Sequence, residues 1–207
     1  TIQNTTYGSS LTSGATRGNS SLPSLQSMAS YNTSGGGCCA KGSKIKMADG
    51  SLKKVEDLIN GDEVVTIDTT SINNKYSTSK VECVIITKCT DGKEKMVTLE
   101  TYRGNHLNIT PYHPVYINTL FNNNWNFPID ISISKPQVID CEEMYTFVTE
   151  NRNSVIVEDY IFATYGHNMK GDVIEHSFFG TEKVINDLKA LETYKLGYVY
   201  LRNNMFD

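Results

Sequence analysis

The sequence predicts an all-β domain of many short strands that carries a helical extension at its C-terminal end. Three observations support this expectation. Short runs of β-branched and aromatic residues recur between Gly, Asn and Pro turns from Ala40 to Tyr165. One stretch near the C-terminus instead has the apolar spacing of an amphipathic helix. Residues 1–37 have neither pattern: about two thirds of them are Ser, Thr, Asn or Gly, the composition of a flexible linker.

Taken in order, "SKIKMADGSLKKVEDL" gives two short alternating strands around Asp49-Gly50, a pair that favours a hairpin turn. A single helical turn is expected at Val55 to Leu58, and "NGDEVVTID" then turns into another strand. Further strands are expected at 81–87, 95–101, 107–110, 115–117, 144–149, 154–158 and 160–165. In "GTEKVINDLKALETYKLG", Val184, Leu188 and Leu191 fall on one helical face, Glu182 lies in the first turn, and Gly197 is the expected stop. The division expected is a flexible upstream segment over 1–37, a β domain over 38–169, and an extension with the amphipathic helix over 170–207.

Composition bounds the function. With 207 residues, 39% of them hydrophobic, the chain can bury one sizeable core. A net charge of -4, with no stripe of Lys and Arg, argues against nucleic acid as a partner. No apolar run is long enough to span a bilayer. The sequence begins at Thr1 rather than Met, so the lack of a signal peptide says nothing about compartment. Asn-x-Ser/Thr triplets at Asn4, Asn19 and Asn32 lean toward a secreted or extracellular setting, although this composition generates such triplets by chance.

The five cysteines are an odd number, so a pure disulfide framework would leave one over. Cys83, Cys89 and Cys141 read as buried, inert thiols. Cys38 and Cys39 differ, because they stand where the glycine-rich leader meets the β domain. A Cys–His pair can perform acyl transfer, the thiolate attacking a carbonyl while an imidazole moves the proton. His106, His113, His167 and His176 are the histidines available. Two have informative neighbours: His113 ends "TPYH", three residues after Thr110, and His167 is followed by Asn168.

These pieces, in this order, resemble the Hint domain, the self-processing module shared by inteins and Hedgehog proteins. The resemblance rests on Cys38 four residues before Gly42-Ser43, on Ala48-Asp49-Gly50, on Val55-Glu56-Asp57-Leu58 and on Gly61-Asp62-Glu63-Val64. "TPYH" is similar to the family's Thr-x-x-His block, "MYTFVTE" to a later strand, and "GHN" to the His-Asn that ends inteins. It covers roughly residues 38–169, and "HSFFGTEKVINDL" resembles an extension of some eukaryotic members.

The resemblance implies a compact, horseshoe-like β fold and an autocatalytic, cysteine-dependent cleavage of the Gly37–Cys38 bond. Cys38 would be the nucleophile, attacking the carbonyl carbon of Gly37 and exchanging an amide for a thioester. His113 would protonate the leaving nitrogen, and Thr110 would hydrogen-bond near the scissile bond. Cys39 would be a small core residue. Gly37 suits the upstream side because a residue without Cβ tolerates a distorted backbone. The substrate would be the chain's own upstream polypeptide, and the acceptor water, a small nucleophile or a lipid alcohol. No cofactor or metal is expected: Cys38, Cys39, His113 and His167 match no zinc spacing, and zinc there would inhibit.

Three departures from the family qualify this. Asn168 is followed by Met169, which has no nucleophilic side chain, so standard splicing is not expected even if Asn168 cyclises with help from His167. "IFATYGHN" also resembles a Hedgehog-type strand, with Ala163-Thr164-Tyr165 in its core, so His167-Asn168 reads either as an active pair or as a turn entering the extension. Thr146 stands where inteins often carry an Asp; the acid of Hedgehog proteins would fall near Thr87, which argues against sterol transfer, although Asp91 is nearby. The other readings are a cysteine hydrolase acting in trans with the same Cys and His, and a non-catalytic β interaction module.

Overall fold

The structure is a computed structural model that describes residues 37–71, 74–118 and 123–202. Most of the expected linker and its three triplets lie outside the described residues. Fourteen strands among the described residues join into one hydrogen-bonded network, so the expectation of an all-β fold with a helical C-terminal part holds.

The chain opens with β1 (Cys39–Ala40), β2 (Lys44–Lys46) and β3 (Leu52–Lys54). β2 and β3 form the expected hairpin, with Lys46 opposite Leu52 and the turn closed by the Gly50 amide donating to the Met47 carbonyl. A 3-10 turn at Val55–Asp57 follows. β4 (Glu63–Asp68) then leads to β5 (Lys75–Lys88), which is twice as long as the 81–87 strand expected. Its first half, with alternating polar residues, pairs antiparallel with β4 over Lys75–Lys80. Its apolar second half continues into the remainder of the sheet.

After β5 come β6 (Lys93–Glu100), β7 (His106–Ile109), β8 (Val115–Asn118) and β9 (Asn123–Asn126). A single turn of helix, α1 (Pro128–Ile131), precedes β10 (Gln137–Asp140), β11 (Glu143–Thr149), β12 (Ser154–Val157) and β13 (Tyr160–Phe162). Strand order is β10-β6-β7-β1-β11-β5-β4-β12-β13-β8-β9, with β2 also bonded to β12. The strand expected over 160–165 ends at Phe162. Ala163 to Tyr165 are buried but unladdered, and the Thr164 hydroxyl donates to the Asn153 carbonyl.

The C-terminal part departs most from expectation. The helix stops early: α2 spans Glu182–Lys189, Leu191 is extended, and a separate 3-10 turn covers Glu192–Leu196. Gly197 does end the helical stretch, at φ 88°, and a Cβ there would also collide with Asn60. A further strand, β14 (Tyr198–Arg202), follows where the sequence pattern predicts none. It lies parallel to β5, from Tyr198 opposite Val84 to Arg202 opposite Lys88. Its alternation buries Val199 and Leu201 and leaves Tyr198 and Tyr200 outside.

The segment after Asn168 is therefore part of the core. Val184, Ile185, Leu188, Val199 and Leu201 pack with Cys83, Ile85 and Val148 of the central strands. The Glu82 carboxylate joins the two parts as well, accepting hydrogen bonds from Arg152 and from the Tyr194 hydroxyl. Partial burial works against its ionisation, yet the Tyr194 and Arg152 contacts hold its pKa below the ordinary value.

Because Leu188 is wholly enclosed, Leu188→Ala should lower unfolding stability by about 2–5 kcal/mol. Urea unfolding of the variant against the parent measures this. A change within error would mean that α2 is an appendage rather than part of the core.

Candidate active site

The site is built around β1. Only two residues long, this strand is inserted between two others: Cys39 pairs with Tyr145 of β11 on one side and with Ile109 of β7 on the other. Alternation along a strand sends neighbouring side chains to opposite faces, and the two thiols separate accordingly. Cys39 packs into the main core and its thiol donates to the Tyr145 carbonyl. Cys38 packs with Ala40, Met96, Cys141 and Met144. A metal site using both thiols is therefore not assembled, and among the described residues no group of three or more His, Cys, Asp or Glu side chains is placed to hold an ion.

Thr110 anchors the Cys38 backbone twice. The Cys38 amide donates to the Thr110 hydroxyl oxygen at 3.0 Å, and the Thr110 amide donates to the Cys38 carbonyl at 2.9 Å. Immediately after Thr110 the chain turns, the His113 amide donating to the Thr110 carbonyl at 3.2 Å. That turn brings the imidazole back onto Gly37. A Cβ on Gly37 would fall inside the van der Waals envelope of His113 Nδ1, Cβ and Cγ. Glycine is needed here for space. Phe162 stacks on the same imidazole, with centroids 3.7 Å apart and 24° between planes.

Burial sets the charge states. Cys38 has no exposed surface, and its thiol pKa is pushed up to about 12. The Thr87 hydroxyl works the other way; it is enclosed and has no hydrogen-bond partner of ordinary geometry. Burial also carries His113 down to about 3, although the backbone of Gly37 favours its protonated form. Its two ring nitrogens likewise lack partners of ordinary geometry. Thiol and imidazole are both neutral at neutral pH.

His167 is buried and near enough for its charge to oppose that of His113. Its Nδ1 accepts the Met169 amide at 3.0 Å. Asn168 lies apart from this group. Its side chain is exposed, its φ is 55°, and its amide donates to the Gly180 carbonyl at 2.7 Å. It borders a different cleft, with Trp125, Asp130 and Lys170. The structure thus brings together Gly37, Cys38, Thr110 and His113, sets His167 nearby, and leaves the Asn168 side chain at the surface.

Phe162 and Thr87 are neighbours that the sequence reading did not select for the site. Thr87 lies opposite Met144 on the β5–β11 ladder. Thr146, fully buried, follows Tyr145 on β11, and its hydroxyl too has no partner of ordinary geometry. Alternation within "VECVIIT" and "MYTFVTE" gives the faces of these strands. The pairing that carries them to Cys38 is non-local.

The model of a family described as Hint-domain (Vint) matches residues 37–206. The chain is similar in structure to a DnaB intein from Synechocystis sp. PCC 6803, at 19% identity and a TM-score of 0.47, covering 62% of this chain and 99% of that one. Similarity to the Ssp DnaB mini-intein variant M86 has 18% identity and a TM-score of 0.47, over 61% and 94% of the two chains. For a bacterial intein-like domain from Clostridium thermocellum the values are 15%, 0.47, 60% and 97%. No curated protein sequence matches the chain.

His113, His167 and His176 all sit below the ordinary histidine value of 6.5, at about 3, 4 and 4, each because burial disfavours the charged ring. The unfolded chain takes up these protons from about pH 6.5 downward, whereas the folded chain resists them until about pH 4. Stability is therefore fully present above pH 6.5 and is lost as pH falls, by up to about 1.4 kcal/mol per pH unit for each histidine. Denaturant midpoints at about pH 7.5 and about pH 5 should show the loss, and equal midpoints would contradict it.

Proposed function

Because the chain belongs to the Hint-domain family, we propose that it is a self-processing domain that breaks its own Gly37–Cys38 peptide bond through an N-to-S acyl shift. The Hint fold supports self-processing in general. The observation that carries the specific reading is the double clamp on the scissile peptide: the Cys38 amide on Thr110 Oγ1 at 3.0 Å, and the His113 ring against Gly37.

In this reading Cys38 Sγ attacks the Gly37 carbonyl carbon. A carbon–sulfur bond forms, and the carbon–nitrogen bond to Cys38 breaks. The thiol proton passes to the departing nitrogen by way of the His113 imidazole, so no net proton is gained or lost. Thr110 holds the nitrogen in place until it departs. Nucleophile and electrophile belong to one dipeptide, which supplies much of the acceleration. The thioester is then resolved by water or another nucleophile, returning a Cys38 thiol and a Gly37 carboxylate when water is used.

Full burial of Cys38 favours a substrate already attached to it over one arriving from solution, which separates this reading from a hydrolase acting in trans. A second break, after Asn168, has its own support. His167 Nδ1 lies 3.0 Å from the Met169 nitrogen, the leaving atom if the Asn168 carboxamide nitrogen closes on its own carbonyl carbon. Met169 offers no nucleophile to complete splicing.

The full chain followed by mass spectrometry should break at Gly37–Cys38, faster with dithiothreitol. Cys38→Ala should abolish the break, and His113→Ala should slow it about 100-fold or more. Gly37→Ala should slow it too, by displacing the imidazole. A chain that stays whole with and without thiol would overturn the reading. Asn168→Ala against the parent shows whether the second bond is cut.

A further inference from the structure

Two cysteines outside the clamp meet across the sheet. Cys89, directly after β5, and Cys141, directly after β10, have sulfurs 3.5 Å apart, the Cys89 thiol donating to Cys141. Paired backbone holds them on both sides. The Cys89 amide donates to the Glu142 carbonyl, and the Cys141 amide to the Gly92 carbonyl. The sulfurs therefore need to close by only about 1.5 Å to reach the bonded separation. Both were read above as inert buried thiols. Cys89 is in fact half-buried, and Cys141 borders a surface cleft of about 580 Å³.

The other thiols are placed differently. Cys38 and Cys39 point to opposite faces of β1, and Cys83 sits in the core against α2 and β14. All three have no exposed surface. Cys141 shares the Cys38 cluster, which makes a Cys38–Cys141 link the competing product.

We propose that Cys89 and Cys141 form a dithiol site that external disulfides, such as glutathione disulfide, oxidise to an intramolecular disulfide while Cys38 stays reduced. Cys89, the more accessible, attacks one sulfur of the external disulfide and releases one thiol. The Cys141 thiolate then attacks Cys89 Sγ and expels the second. Two protein thiols are oxidised, one external disulfide is reduced, and the two thiol protons leave on the two released thiols.

The test treats the folded chain with glutathione disulfide, blocks remaining thiols with N-ethylmaleimide after denaturation, and maps the peptides. It reads the same whether or not the Gly37–Cys38 bond has been cut, so it stands apart from the self-processing reading. The expected result is one crosslinked peptide joining Cys89 to Cys141, with Cys38, Cys39 and Cys83 carrying maleimide. A glutathione adduct retained on Cys89, a Cys38–Cys141 link, or five maleimide-blocked thiols would each overturn the proposal.

Discussion

Everything at the site depends on a two-residue strand held from both sides. β1 contributes little apolar area, yet its backbone is paired with β7 and with β11. A strand so short has no stability alone. Its position is dictated by the sheet around it. That pairing places the peptide joining Gly37 to Cys38 next to the first residue after β7, which is Thr110. The turn after Thr110 then lays His113 on Gly37. Two parts of the chain, 72 residues apart in sequence at Cys38 and Thr110, are thereby brought to one peptide bond.

The same enclosure governs reactivity. Cysteine hydrolases lower the thiol pKa next to a charged imidazole. Here burial moves both groups toward their neutral forms, the thiol up to about 12 and the imidazole down to about 3. There is no standing ion pair to attack passing electrophiles. A proton must leave sulfur as the new bond forms, and that step is favoured only where the carbonyl is already in place. A quiet thiol beside one fixed carbonyl suits an intramolecular reaction.

The parts legible from sequence were the local ones. Asp49-Gly50 announced its hairpin, and alternation announced most strands. The order Cys38, Thr110, His113 marked residues that the fold does bring together. What stayed hidden depended on long-range pairing. "YVYL" shows no polar alternation, because a tyrosine on the exposed face of an edge strand looks like core. Nothing in it signals a parallel partner more than a hundred residues earlier. The helix ends before Leu191, yet Leu191 and Tyr194 of the 3-10 turn pack on the same apolar cluster as α2, so their apolar spacing looks like a continuation of it. Gly37 was chosen for the right residue type on a conformational ground, whereas the structure gives a steric one.

The parallel strand β14 has a consequence for timing. It flanks β5, β5 supports β11, and β11 holds one side of β1. Chain leaves the ribosome N-terminus first, so β14, translated well over a hundred residues after β1, backs the sheet that encloses it. A nascent chain exposes Cys38 and Gly37 long before that backing exists. The clamp on the peptide bond is finished only once β14 has emerged and paired with β5, and the chain before Gly37 has all of that interval in which to fold.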